Sequence, residues 1–232
     1  MIKSYIITIA DNEISEKASA RCNKSHIDVG NEFKTESYNA IVPTEVDRLF
    51  KFYNIKWSFP WEKEEQNLAY GLTLKPYSTV DRYKRMACFL SHYSLWNKCI
   101  EVGNPFIILE HDALWIKKLN PEFIVNSTYN IVGLNNPIGA TRRADIFDSQ
   151  VQFGKTDILP VPSVDEFNIP QGLAGNSAYL IKPEGASDLI HKVRELGAWP
   201  NDAIMCKQLI YKMGVTKKYY TKVQGTISTT SK

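Results

Sequence analysis

Apolar residues in this chain fall mainly into two patterns, short unbroken runs and helical spacing. Phe106-Ile107-Ile108-Leu109 is unbroken and ends abruptly in Glu110-His111-Asp112-Ala113. A run with no alternation reads as a strand covered on both faces, as in a parallel sheet between helices. Ile2 to Ile9 reads as a first strand with Thr8 near its end. Ala10-Asp11-Asn12 forms a turn, and Asn12 caps a helix over Glu13 to Arg21. A second strand is predicted around Tyr38 to Val42, then a helix from Glu45 to Tyr53 capped by Thr44. Met86, Leu90, Tyr93, Trp96 and Ile100 recur every three or four residues and predict a helix over Asp81 to Val102. Gly103 ends it. The same spacing sets Cys88, His92, Leu95 and Cys99 along one side.

Further on, Pro121 to Val125 reads as a helical turn and Tyr129 to Leu134 as a buried strand. Ser177 to Lys182 is a strand, and Pro183 opens a helix that runs to about Leu196. Another helix is predicted over Ala203 to Met213, capped by Asn201 or Asp202, and a last strand over Lys218 to Val223. Two stretches lack a clear period. Asn54 to Tyr77 carries Trp57, Phe59, Trp61 and Tyr77 around a charged run and reads as a long irregular insertion. Its aromatics either stack on a sugar or base or pin the loop to the core. Asn135 to Pro170 reads as polar and irregular. The sum is one α/β domain over residues 1–232.

Composition narrows the picture. With 44% hydrophobic and 12% aromatic residues, the 232-residue chain can bury a sizeable core. No segment approaches the roughly 20 apolar residues of a membrane span, and the start is too short and too acidic for a secretory signal. Cys22, Cys88, Cys99 and Cys206 lack metal-type spacing, so reduced thiols and a cytoplasmic location are expected. The net charge of +3 is slight but uneven: beyond Asp202 there are lysines and no acidic residue. Such a segment suits a polyanionic partner, whether a diphosphate, an acidic glycan or a nucleic acid, or is simply a solvated surface. The glycine fingerprint of a dinucleotide site and the P-loop pattern are both absent.

The candidate chemistry lies at the end of the central strand. Ligands of open α/β sheets sit at the carboxyl ends of the strands. Two carboxylates one residue apart, Glu110 and Asp112, can hold a hard divalent cation that a diphosphate also grips. Gly172-Leu173-Ala174-Gly175-Asn176 lets backbone approach a ligand closely.

Three stretches occur in a telling order: Ala87-Cys88-Phe89-Leu90-Ser91-His92, then Ile108-Leu109-Glu110-His111-Asp112-Ala113, then Gly175-Asn176-Ser177-Ala178-Tyr179-Leu180-Ile181. Together they resemble glycosyltransferase family 25, which includes lipooligosaccharide and collagen galactosyltransferases. Tyr5 to Ile9 fits the family's opening, and Trp199-Pro200-Asn201-Asp202 resembles its later acidic position. There are three departures. His111 replaces the middle aspartate of the family's acidic triplet, Arg85 stands where glutamate is usual, and the arginine-rich segment after the first strand is missing.

The resemblance implies the GT-A fold, a mostly parallel sheet between helices. It implies sugar transfer from a nucleotide diphosphate sugar, UDP-linked, to an acceptor hydroxyl with inversion. Asp112, assisted by Glu110, would hold Mn2+ or Mg2+. Thr8, Ile9 and Ala10 would meet the nucleotide through backbone at the strand end, and Arg85, Ser91, His92, Glu110, Gly175 and Asn176 would complete the donor site. Asp202 would be the catalytic base, or else a helix cap. The implied acceptor is a cell-surface saccharide such as lipooligosaccharide, which places the protein in lipopolysaccharide biosynthesis. The basic C-terminal segment also admits a DNA-modifying transferase acting on a hydroxymethylated base. The altered triplet admits a non-catalytic glycan- or nucleic-acid-binding module.

Overall fold

The computed structural model describes residues 2–225. In chain order the elements are β1 (Lys3–Thr8), α1 (Glu13–Asp28), β2 (Lys34–Asn39), α2 (Val46–Tyr53), β3 (Glu65–Asn67), β4 (Leu72–Leu74), α3 (Arg82–Val102), β5 (Phe106–Glu110) and β6 (Ala113–Trp115). Then follow α4 (Glu122–Val125), β7 (Ile131–Gly133), α5 (Ala144–Phe153), β8 (Ile158–Pro160), β9 (Ala178–Ile181), α6 (Pro183–Leu196), α7 (Asn201–Ile204), β10 (Met213–Thr216) and β11 (Thr221–Val223). The architecture is α/β, as the patterning predicts.

Seven strands form one sheet in the order β2-β1-β5-β9-β7-β10-β8. β2, β1 and β5 pair in parallel, as do β7 and β10. β9 runs against both β5 and β7, and β8 runs against β10 at the edge. Five strands of the seven thus share one direction, and the sheet is mostly parallel. β5 and β9 lie at its centre. Phe106 and Ile108 join the core on one face, with α3 and α6, while Ile107 and Leu109 join the core on the other face, with β6 and Leu119. Period-two side chains on a doubly covered strand require this unbroken apolar run.

α1 begins where its Asn12 cap predicts, and α3 begins one residue after Asp81, which is its cap. The Asn12 side chain accepts from the Ser15 N–H, and the Asp81 carboxylate accepts from the Tyr83 and Lys84 N–H groups. Gly103 closes α3 in the left-handed conformation, φ 68°. α6 starts with Pro183 in its first turn.

Four expectations are corrected. β2 lies earlier than Tyr38 to Val42. It is a polar edge strand, half exposed, so it carries no apolar signature. Thr44 does not cap α2; it lies in a 3-10 turn whose Val42 N–H is met by the Glu45 side chain. Asn135 to Pro170 is not wholly irregular, because it holds α5 and β8. α5 starts at Arg143 in the left-handed region (φ 58°) with no side-chain cap, so no start signal marks it. The helix predicted over Ala203 to Met213 stops after one turn at Ile204. Cys206 instead bridges to Gly172 and the Lys207 N–H donates to the Gln171 carbonyl, which draws the chain out of helical geometry.

The aromatic insertion is pinned to the core rather than splayed from it. Trp57 and Trp61 stack with centroids 4.8 Å apart, Phe59 packs on Trp199, and the Trp199 indole donates to Ser58 Oγ. The insertion also contains the β3–β4 hairpin.

Candidate active site

A cleft of about 540 Å3 opens at the carboxyl ends of β1 and β5. Because β9 is reversed, its first residues arrive at the same edge, and the Glu110 N–H donates to the Ser177 carbonyl at 2.9 Å. The amino-terminal half of α3 and the first turn of α7 supply the facing wall. Ile9, Arg85, Ser91, His92, Glu110, Asp112, Gly175, Asn176 and Asp202 all line the cleft. The fold thus gathers residues more than a hundred positions apart.

Thr8 and Ala10 do not line it. The Thr8 hydroxyl turns to the opposite face and bonds Ser19 Oγ, and its carbonyl accepts from the Ala40 N–H. The Ile9 N–H is likewise taken, by Ser15 Oγ. Ser91 borders the cleft but is spent internally. Its hydroxyl donates to the Ala87 carbonyl and accepts from the Ile41 N–H, tying α3 to the segment after β2.

Behind Glu110 stands a buried relay. The Trp96 indole N–H donates to Tyr179 Oη at 2.9 Å, Tyr179 Oη lies 2.8 Å from His92 Nδ1, and His92 Nε2 lies 3.2 Å from Glu110 Oε1. An indole only donates, so the phenolic hydrogen is directed to Nδ1, and the network assigns the ring proton to Nε2, facing the carboxylate. Burial of Glu110 in the cleft raises its carboxyl pKa. The His92 hydrogen bond first, with the electrostatic influence of the His92 and His111 rings, outweighs this and holds the group below its ordinary value. His111 itself is pushed down by burial, against the pull of Glu110.

Asp112 behaves oppositely. Burial first, and then the Glu110 charge, push its carboxyl up to about 7, although the Ser177 hydroxyl draws it down. Its Oδ1 is buried without a hydrogen-bond partner among the described residues, and so are both amide atoms of Asn176. Buried polar atoms are nearly always paired, so three orphans at one cleft are candidate contacts for a ligand. An unpaired carboxylate oxygen is a hard donor that fits Mn2+ or Mg2+. Gly175 precedes Asn176 at φ 70°, and a Cβ there would meet the Ala140 carbonyl at 3.1 Å, so the backbone runs close at this point. Gln224, which sequence patterning does not single out, fastens the acidic loop. Its side-chain amide donates to the Ala18, His111 and Ala113 carbonyls, and its backbone N–H donates to the Asp112 carbonyl.

Asp202 lies in the first turn of α7 and is open to the cleft. It is not the cap, since Pro200 holds that position and no side chain caps the turn. Crowding by the cleft walls raises its carboxyl pKa; Arg85 opposes this and Glu110 adds to it. Arg85 is itself fixed, donating to Thr79 Oγ1 at 2.7 Å and lying over the Tyr77 ring. Lys84 and Arg85 are the cations of the cleft wall among the described residues. The C-terminal lysines lie elsewhere: Lys207 donates to Ser163 Oγ, Lys217 to the Gly154 carbonyl, and Lys218 sits over Tyr220. Lys232 falls outside the described residues.

The model of glycosyltransferase family 25 (LPS biosynthesis protein) matches residues 1–205. The chain belongs to glycosyltransferase family 25. A search of curated proteins finds no match. Among solved structures, the galactosyltransferase LgtC in complex with donor and acceptor sugar analogues is 9% identical with a TM-score of 0.42, covering 93% of this chain and 73% of that one. A putative glucose-1-phosphate thymidylyltransferase from Bacillus anthracis in complex with a sucrose is 10% identical with a TM-score of 0.32, covering 85% and 76%. This family 25 glycosyltransferase is an enzyme, and no described helix is long and apolar enough to cross a membrane.

Proposed function

We propose that this glycosyltransferase transfers a sugar from a UDP-linked donor to a hydroxyl of a saccharide acceptor, with inversion, through a single domain. The observation that carries this reading is the set of orphaned polar atoms, Asp112 Oδ1 and the Asn176 amide, in the one cleft that Asp202 also lines. Asp112 is the principal ligand for Mn2+ or Mg2+, and Glu110, tied to His92, assists. The cation supplies charge neutralisation to the departing diphosphate. Lys84 and Arg85 share that task from the start of α3. Asn176 holds donor hydroxyls. Asp202 accepts the proton of the attacking hydroxyl, and its raised pKa brings it nearer the range in which a general base works well. The family's description as an LPS biosynthesis protein supports a lipopolysaccharide-type acceptor.

The test is transfer and donor hydrolysis across a panel of nucleotide sugars, with and without manganese. We expect one UDP-sugar to be turned over with metal dependence, and Asp112→Asn to lose most of that turnover while remaining folded. Normal turnover and a normal manganese response in Asp112→Asn would overturn the assignment of the metal ligand.

A further inference from the structure

The same cleft carries a group of a different chemical kind. Cys88 and His92 are four residues apart on α3, so helical geometry presents both side chains on one face. Glu110 reaches the same point from the end of β5. The three ligand atoms all lie within 4.8 Å of one another. His92 is buried, Glu110 is partly open, and Cys88 borders the cleft, so an ion has a path in. Asn201 Oδ1 stands 3.7 Å from the Cys88 sulfur.

We propose that Cys88, His92 and Glu110 form a binding site for a thiophilic divalent cation of the zinc class, distinct in its donor set from the oxygen site at Asp112 and sharing Glu110 with it. Sulfur, nitrogen and one carboxylate oxygen with an open fourth position is a zinc-type donor set. Magnesium and manganese prefer oxygen. Zinc–ligand bonds are about 2.0–2.3 Å long, so the three atoms need only modest side-chain movement to converge. Charge favours the cation as well. Burial first, and then the charges of Glu110, Asp202 and Asp112 against the pull of Arg85, disfavour a bare thiolate at Cys88, and the same carboxylates attract a divalent ion. On binding, the Cys88 S–H bond breaks, sulfur ligates the metal and one proton leaves to water. The His92 ring proton moves from Nε2 to Nδ1, and the Tyr179 hydroxyl turns its own hydrogen away from Nδ1 so that Oη accepts from it as an outer-shell partner. Such an ion would draw Glu110 away from the donor side and so act as a brake on transfer.

The test uses the full chain with Co2+ as a spectroscopic probe and zinc competition against a chromophoric chelator. We expect one cobalt per chain, with a near-ultraviolet thiolate-to-cobalt band that zinc displaces. Cys88→Ser should abolish the band and weaken zinc binding by more than about a hundredfold, since loss of an outer-shell partner alone costs about 10- to 100-fold. Glu110→Gln should keep the band but weaken binding. A wild-type protein with no such band, or a band that survives in Cys88→Ser, would overturn the site. These readouts need neither donor nor turnover, so their failure leaves the transferase reading untouched.

Discussion

At the scale of single residues, the relay from Trp96 to Glu110 joins folding to function. Tyr179 is wholly buried and its hydroxyl serves two partners at once. Tyr179→Phe keeps the ring and removes that oxygen, leaving the Trp96 N–H and His92 Nδ1 unpaired in the interior. An unsatisfied buried group costs about 1–3 kcal/mol, so the variant should lose stability of that order. Urea denaturation measures it, and an unchanged midpoint at unchanged slope would mean the hydroxyl is dispensable. Part of this site is legible in the sequence. The polar triplet after an apolar run points to Glu110 and Asp112, and the motif order points to His92, Asn176 and Asp202. Tyr179, Trp96 and Gln224 are not legible. Tyr179 and Trp96 read as core aromatics, and their roles follow from the register that sets Tyr179 beside Ile108. Gln224 meets the acidic loop only because β11 pairs with β6.

At the scale of elements, legibility follows burial. α3, α6 and β5 each have a strong apolar period or a clear cap and stand near their predicted bounds, whereas α1 starts at its predicted cap but runs on past Arg21 to Asp28. β2 and α5 lack such signals, one as a polar edge strand and the other as an uncapped helix. The helix expected after Asp202 fails for a tertiary reason, because the chain there pairs with Gly172. A Cβ on Gly172 would lie 2.4 Å from the Met205 carbonyl oxygen, a backbone atom that cannot simply rotate aside. Gly172→Ala should therefore cost about 1–3 kcal/mol, as overpacking does, and shift α7 with Asp202 upon it. A lowered melting temperature together with slowed transfer is the expected pair of results. The join of α1 to β2 yields a pH prediction. His26 Nε2 donates to the Phe33 carbonyl at 3.0 Å, and Nδ1 accepts from Asn31 and Thr35. Burial lowers the pKa of this histidine, although the Phe33 carbonyl resists. Its folded value thus lies below the unfolded one, so its contribution to stability is full above about pH 6.5. That contribution is lost as pH falls through the folded value. The urea midpoint should fall on acidification through this range, and His26→Gln should shrink the fall. His111, also shifted down, keeps part of it. A fall of equal size in His26→Gln would place the effect elsewhere.

At the scale of the whole molecule, one sheet edge collects the ends of β1 and β5 and the beginning of β9, with α3 and α7 across from them. The reversed central strand makes this possible, since it delivers Asn176 and Ser177 to the side where parallel strands terminate. The arrangement gives two carboxylates different surroundings. Asp112 sits at the strand end with an unpaired oxygen, and Asp202 sits on the facing wall beside Arg85. If Asp202 takes the acceptor proton, it acts in the transition state and contributes little to holding the donor. Asp202→Asn should then lower kcat by about 10²- to 10⁴-fold, the usual span for a general base. The donor Kd, measured by calorimetry without acceptor, should change little. Removing a metal ligand should do the reverse, so Asp112→Asn should weaken manganese-dependent donor binding as well as turnover. The comparison works because both substitutions are nearly isosteric and remove one titratable carboxyl from the same cleft. A general loss of negative field would make the two variants behave alike, and so would a cleft that merely binds sugar nucleotides. Distinct signatures, turnover alone for Asp202 and binding with turnover for Asp112, are what a base and a metal ligand on opposite walls require.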